Sequence, residues 1–305
     1  MVDTTQKKKI LVTGASGFLG TAVSSLLETS QYELVTTNSS LHDLTKLEDC
    51  ILATKNIDTI IHTAGLVLSR SEQQRRPAEV FAINTQTTLN IAEAARQNGV
   101  RRIIFISSVT AYPEKATSPI TETDLWNGPV NDGNYAYGNA KRITETIARS
   151  YAEQYGLETC VLFLPNLYGP NDKFTYNPPP LIPNSIIQIH AAKEAQKPII
   201  IGGNNGGVEL DFLYVVDAAK AVVCAIDAAE LPQTVNISTG STVSIKTIYT
   251  TIADKLGYTG TITWEEGNIP PPRRMDTTRA ETYLHWQSET EFTEGIAHTV
   301  ASYLE

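Results

Sequence analysis

The sequence predicts an α/β protein with a doubly wound parallel sheet and a smaller, discontinuous C-terminal lobe. Two patterns and one break carry that expectation. Short apolar, β-rich runs alternate with longer amphipathic segments through the first half of the chain, as they do where helices cover both faces of a parallel sheet. A turn with three spaced glycines joins the first run to the first helical stretch. After Pro165 the regular alternation stops.

Taken in order, Ile10-Val12, Leu34-Thr36, Thr59-His62, Ile103-Ser107 and Thr159-Leu164 read as strands. The Ala-rich stretches 84–97 and 137–155 read as helices, the second entered through the Gly133-Asn134 turn. Pro170, Pro178, Pro179, Pro180 and Pro183 then punctuate a segment with no place for a regular element, which reads as a substrate loop or lobe entry. Phe212-Val216 and Ala218-Ala229 read as a strand and helix returning to the main sheet, and Pro270-Pro272 interrupts the last stretch. The expected division is 1–165 plus 207–233 for the main domain and 166–206 plus 234–305 for the second lobe.

With 305 residues, 41% of them hydrophobic, the chain buries a core without staples. Cys50, Cys160 and Cys224 are odd in number and share no spacing used by zinc or disulfide frameworks, so they read as small core residues. His190 and His285 lie in apolar patterns without clustered ligands, and no metal site is expected. The net charge of −9 argues against a nucleic-acid partner. With neither a signal-peptide core nor a membrane-length apolar run, the expectation is a cytoplasmic protein that does not cross a membrane.

Strand Ile10-Val12 runs into Thr13-Gly14-Ala15-Ser16-Gly17-Phe18-Leu19-Gly20 and then a helical pattern. Gly14 permits a tight turn, Gly17 lets the backbone approach a pyrophosphate, and Gly20 lets the helix pack on its strand, while the helix N-terminus supplies donors. This is the dinucleotide-binding turn of a Rossmann-type sheet, and the main domain is expected to bind NAD(P). After the second strand, Thr36-Thr37-Asn38-Ser39-Ser40 offers no carboxylate for a ribose 2′-hydroxyl, the usual mark of NAD. No arginine stands there to clamp a 2′-phosphate either, so the reading leans to NADP with NAD as the alternative.

Tyr137 and Lys141 are one helical turn apart, about 6 Å along the axis, and share a face. A phenol is a poor base at neutral pH, and an adjacent ammonium together with a positive nicotinamide ring would favour its phenolate. About thirty residues earlier the fourth strand ends in Ser107-Ser108, at the sheet edge where Rossmann ligands bind, and a serine there can hydrogen-bond a reacting oxygen. The chemistry these residues fit is hydride transfer at a substrate hydroxyl or ketone.

These motifs together resemble the extended short-chain dehydrogenase/reductase family, also called the NAD-dependent epimerase/dehydratase family. The resemblance spans nearly the whole chain through Gly14-x-x-Gly17-x-x-Gly20, Asp43-Leu44, Ile61-His62-Thr63-Ala64-Gly65, Asn84, Ser108-Val-Thr-Ala-Tyr112, Tyr137-x-x-x-Lys141 and Asn166-Leu-Tyr-Gly-Pro170. It implies Ser108, Tyr137 and Lys141 as catalytic residues. For the cofactor it implies Gly14, Ser16, Gly17, Phe18, Leu19, Gly20, Asn38, Asp43, Leu44, Thr63, Ala64, Gly65, Asn84, Ser107 and Pro165, with Tyr137 and Lys141 reaching its ribose end. It also implies a homodimer through the helices at 84–97 and 137–155.

Within the family, the Asp-Glu pair of dehydratases is replaced by Val109-Thr110. The segment 166–201 is most similar to the GDP-fucose synthase branch, but the cysteine and histidine used for epimerisation there match Thr110 and Pro180. What remains is chemistry at one carbon: a nucleotide-sugar 4-ketoreductase, or a 4-epimerase, whose Ser-x-Thr-x-Tyr pattern Ser108, Thr110 and Tyr112 resemble. Where family members carry an arginine on the substrate diphosphate, this chain has Leu210. Thr110, Asn166 and Arg274 are the substrate-binding candidates, and Leu210 keeps open the alternative of an NADP-dependent reductase or dehydrogenase acting on a non-nucleotide carbonyl or alcohol. Arg70, Arg75 and Arg76 lie in the loop after Gly65, from which the resemblance implies contact with substrate, and at least two of them are expected to be simple surface residues.

Overall fold

The computed structural model of the protein describes residues 7–202 and 204–305; residues 1–6 and Gly203, which the expected domain ranges include, lie outside the described residues. In the first half, β1 (Lys9–Thr13) leads through the glycine turn into α1 (Phe18–Glu28). There follow β2 (Glu33–Thr37), α2 (Leu47–Ala53), β3 (Thr59–His62), α3 (Arg70–Arg75), α4 (Pro77–Asn98), β4 (Arg102–Ser108), α5 (Tyr135–Tyr155) and β5 (Glu158–Leu164). The second half opens with β6 (Asn166–Tyr168), α6 (Leu181–Ala195), β7 (Ile199–Ile201), β8 (Glu209–Leu210), β9 (Phe212–Tyr214) and α7 (Val215–Asp227). It ends with β10 (Thr234–Asn236), β11 (Val243–Ser244), α8 (Ile245–Leu256), β12 (Ile262–Trp264), α9 (Thr278–Leu284) and α10 (Phe292–Leu304).

The central sheet is parallel throughout, in the order β10-β5-β4-β3-β1-β2. From β1 the chain goes to β2 on one side and to β3 on the other, and this reversal opens a crevice at the carboxyl ends of β1 and β3. Alternation along each strand divides two cores. Cys160, Leu162 and Leu164 of β5 face α1, α7 and α9, whereas Val161 and Phe163 face the side covered by α2, α4 and α5. Each isoleucine or leucine withdrawn fully from water here contributes roughly 1.5–3 kcal/mol.

A third core joins Tyr168 of β6 and Phe212 and Tyr214 of β9 to α6, α8 and α10. Three two-stranded ladders frame it: β6 with β9 and β7 with β12 in parallel, and β8 with β11 antiparallel. The predicted return of Phe212-Val216 to the main sheet is therefore corrected: β9 pairs with β6, and it is the short β10 that adds to β5. The main sheet thus runs past the expected boundary at residue 233, and α9 with Trp286 packs on the first core rather than on the third. A three-residue strand is too short to show a period in the sequence.

Two further differences have local causes. α4 begins at Pro77, seven residues before the expected start, because proline is well placed in a first turn whose N–H groups have no intrahelical partner. The proline-rich stretch does end in a helix, α6, with Pro183 in its first turn for the same reason. Cys50 and Cys160 are buried as expected, but Cys224 is exposed on α7. Among the described residues no helix is long and apolar enough to cross a membrane, and no cluster of His, Cys, Asp and Glu has the form of a metal site.

Candidate active site

A cavity of about 570 Å³ opens at the carboxyl ends of the strands, over the switch point. Gly17, Phe18, Leu19 and Gly20 form one end, and Thr63, Gly65, Ser107, Ser108, Tyr137, Lys141, Pro165 and Asn166 line its middle. The far wall is Leu210, Phe212 and the segment Pro178–Pro183. Residues more than 160 positions apart in sequence are thus brought to one space.

The glycine turn has the shape that a pyrophosphate requires. Gly14 sits at φ +71°, and a Cβ there would lie 2.7 Å from the Ala64 nitrogen. At Gly20 a Cβ would lie 2.0 Å from the Gly14 carbonyl oxygen, so only glycine lets α1 start this close to β1. Gly17 is different: its Cβ would meet only that same oxygen, at 3.1 Å, and the space it leaves open faces the cavity side. Gly17 is also the N-cap of α1, without a side-chain cap and with no acidic residue in the first turn, so the first N–H groups and the positive helix end remain for an anion. These residues fit a dinucleotide.

The loops beside the turn are braced by buried side chains. Thr63 Oγ1 donates to the Thr13 carbonyl at 2.7 Å. Asn84, placed by α4, donates to the Leu66 carbonyl and accepts from the Leu66 N–H, both at 3.0 Å, so it shapes the loop after Gly65 from behind. His62 hydrogen-bonds Thr13 Oγ1 through Nδ1 at 2.9 Å, and burial, helped by the nearby Lys141 charge, brings its pKa down to about 3. It is neutral at physiological pH and braces β1 against β3.

Beyond β2, Asn38 accepts from the Ser40 and Leu41 N–H groups, and Asp43 accepts from Thr45, whose bonds hold its carboxyl below the usual range. Leu44 offers its carbonyl to Asn90. Gly14, Ser16, Asn38, Asp43, Leu44, Ala64 and Asn84 do not line the cavity, whereas the other cofactor candidates do.

The catalytic candidates converge. Tyr137 and Lys141 project from the first turns of α5, and Lys141 Nζ lies 5.9 Å from the centre of the Tyr137 ring. Lys141 Nζ donates to the Ile106 carbonyl at 3.0 Å, and Ser107 Oγ donates to the Lys141 carbonyl at 2.8 Å, which together fasten α5 to β4. Ser108 Oγ accepts from both the Thr110 N–H at 3.2 Å and the Thr110 hydroxyl at 3.0 Å. With two bonds accepted, its own proton is left free to donate. Thr110, expected at the substrate, stands one layer back and orients Ser108. Close packing at Gly138, where a Cβ would be 2.7 Å from the Thr110 carbonyl, keeps α5 against this turn.

Burial acts on both groups of the pair. Burial pushes the Tyr137 phenol up to about 12 and the Lys141 ammonium down to about 8. Desolvation accounts for both shifts, and it keeps the Tyr137 phenol protonated at pH 7. Lys141 is still mostly charged there.

Of the substrate candidates, Asn166 lines the cavity and donates through Nδ2 to the Asp211 carbonyl at 3.0 Å. Arg274 is exposed outside the lining, its backbone held by Ile120 and Ser118, while Arg273 donates to the Pro113 carbonyl. The structure adds Arg70, Asp172, Lys173 and Tyr176 to the wall. Asp172, in a proline-rich run, is 8% exposed, its Oδ2 has no hydrogen-bond partner among the described residues, and burial raises its pKa to about 6.

Comparison with known proteins places this geometry. The chain is 29% identical to the GDP-L-fucose synthase of Escherichia coli (strain K12), over 98% of this chain and 97% of that one. Its fold matches a GDP-L-fucose synthetase from Naegleria fowleri bound to NADP with a TM-score of 0.89 at 24% identity, covering 98% of this chain and 93% of that one. It likewise matches a GDP-mannoheptose C4 reductase from Campylobacter jejuni with NADP bound, with a TM-score of 0.87 at 22% identity, covering 98% and 99%. The model of one family matches residues 10–238, from the first strand through the last strand of the main sheet, and the chain belongs to that family, the NAD dependent epimerase/dehydratase family.

Proposed function

We propose that this enzyme is an NADP-dependent nucleotide-sugar 4-ketoreductase in which Tyr137 delivers the proton, Lys141 positions it and Ser108 holds the reacting oxygen. The observation that carries this reading is the lining of the cavity, which includes neither cysteine nor histidine. The position matching the epimerising histidine is Pro180, in the cavity wall, and the one matching the cysteine is Thr110, whose hydroxyl is spent on Ser108. Without that pair the chemistry stays at one carbon.

Reduction of a ketone needs an acid for the developing alkoxide. A buried neutral phenol is such an acid, and the Ser108 hydroxyl can donate to the same oxygen. When bound, the dinucleotide supplies the hydride. Lys141, tied to Ile106, stays beside the phenol and favours charge build-up on it once the proton has left. The missing carboxylate after β2 supports NADP, as do relatives solved with that cofactor.

The 4-epimerase reading is weaker, because Tyr112, the third member of its pattern, donates to Asn236 at 2.6 Å inside the core. A reductase of a non-nucleotide carbonyl is the second reading, favoured by Leu210 and the apolar wall around it. We further infer a division into an NAD(P)-binding domain and a substrate lobe built on the third core, a cytoplasmic location, and a homodimer through the exposed Phe81, Leu89 and Tyr155 of α4 and α5.

The test is NADPH oxidation with 4-keto-6-deoxy sugars linked to GDP, UDP or dTDP, beside a panel of simple aldehydes and ketones. Turnover of at least one nucleotide-linked ketone is expected. Turnover restricted to the simple carbonyls would establish the second reading and remove the first.

A further inference from the structure

The cavity wall bears three cations, Arg70, Lys141 and Lys173. Two are engaged. Lys141 donates to the Ile106 carbonyl beside Tyr137, and Lys173 Nζ lies over the Tyr176 ring at 4.8 Å, next to the buried Asp172. Arg70 is not. Its neighbours Arg75 and Arg76 pair with Glu72 and Glu79, whereas among the described residues Arg70 bonds only to a neutral group, the Asn131 side-chain oxygen, at 3.3 Å.

Arg70 is nevertheless held in place. A Cβ built on Gly133 would lie 2.0 Å from Nη2, 2.7 Å from Cζ and 2.8 Å from Nε, so the guanidinium is bedded along the glycine backbone. Asn131 Oδ1 also accepts from the Gly133 N–H at 2.9 Å, and Asn131 Nδ2 donates to Glu114, which fixes the acceptor. Gln74 donates to the Gly133 carbonyl at 3.2 Å and docks α3 on the same turn. Gly133 lies in the short turn that leads into α5, four residues before Tyr137, and Arg70 and Tyr137 line the same cavity.

We propose that Arg70 is the anion-gripping residue of the substrate site, taking a nucleoside diphosphate through its remaining N–H groups in place of the arginine that Leu210 has displaced. The proposal rests on the nucleotide-sugar reading. A guanidinium fork already held on one side loses little freedom when it meets phosphate oxygens, and its donors match them in pairs. The exchange also moves the anion site from the far wall, where Leu210 and Phe212 stand, to the wall formed by the loop after β3.

Calorimetric titration of the NADP-saturated full chain with GDP, UDP and dTDP tests this. Wild type is expected to bind at least one. Arg70→Gln should weaken that binding by about 10- to 100-fold, the worth of a charge-assisted pair, with NADP affinity and melting temperature unchanged. Arg70→Lys should recover only part, because an ammonium lacks the fork. Gly133→Ala, which removes no polar group and displaces only the end of a flexible side chain, should weaken binding in the same direction. Equal affinity of wild type and Arg70→Gln would overturn the role of Arg70 and leave the proposed function standing. Failure of wild type to bind any of the three would overturn both.

Discussion

Replacement of Gly20 by alanine isolates the contact on which the cofactor turn depends. The added methyl would sit 2.0 Å from the Gly14 oxygen, 2.8 Å from the Gly14 carbonyl carbon and 2.9 Å from the Ala15 Cα, where non-bonded heavy atoms ordinarily keep about 3.5 Å. All three obstacles are backbone, so no rotamer change relieves the clash, and α1 must retreat from the turn by more than about 1 Å. Overpacking of this kind costs about 3 kcal/mol, at the upper end of its usual range. In a chain of this size that lowers the melting temperature by roughly 5–10 °C. The same retreat draws the first-turn N–H groups away from the pyrophosphate, so NADP affinity should fall as well. Gly17→Ala provides the contrast. Its methyl meets one oxygen at 3.1 Å, so stability of the ligand-free protein should change by less than about 1 kcal/mol while NADP binding weakens. Differential scanning fluorimetry and NADPH fluorescence titration read both quantities. A Gly20→Ala protein with wild-type melting temperature and affinity would refute the close approach of α1 to β1.

The remaining predictions concern single side chains. Tyr137→Phe should lower kcat about 10³-fold with NADP affinity and melting temperature unchanged, since the phenol makes no hydrogen bond among the described residues; steady-state turnover near wild type would exclude it as the acid. Asp172 has a folded pKa raised to about 6 from 3.8, so the folded state holds this proton more tightly than the unfolded chain does, and that stabilisation is lost as pH rises through 6. Asp172→Asn should therefore remove about 3 kcal/mol of pH-dependent destabilisation between pH 4 and 6, and parallel urea-unfolding profiles for the two proteins would contradict the assignment. Arg102, 4% exposed, donates to the carbonyls of Ala225, Ile226 and Ala228 at the end of α7 and pairs with Glu158. Arg102→Ala should cost about 3–5 kcal/mol in urea unfolding, and a loss below 1 kcal/mol would show that water replaces the guanidinium there.

The first five strands of the main sheet, the glycine turn and the Tyr137-Lys141 pair were legible in the sequence, because each is local: a short apolar, β-rich run, a strand-to-helix glycine pattern, one helical turn. The sequence also pointed to Ser108 through its place at a strand end. The rest depended on contacts between segments distant along the chain. Strands of three residues such as β9 and β10 have no readable period, so their partners are chosen by which sheet edge lies within reach. Burial, which depends on every neighbour, raised the Tyr137 phenol and lowered the Lys141 ammonium, and no local spacing carries that. The proline-rich segment read as a substrate loop does line the cavity, but which of its side chains and which of the loop arginines face it needed the tertiary structure. Arg70 and Asp172 are distant in sequence and meet only because α3 and the loop before α6 close over the same strand ends.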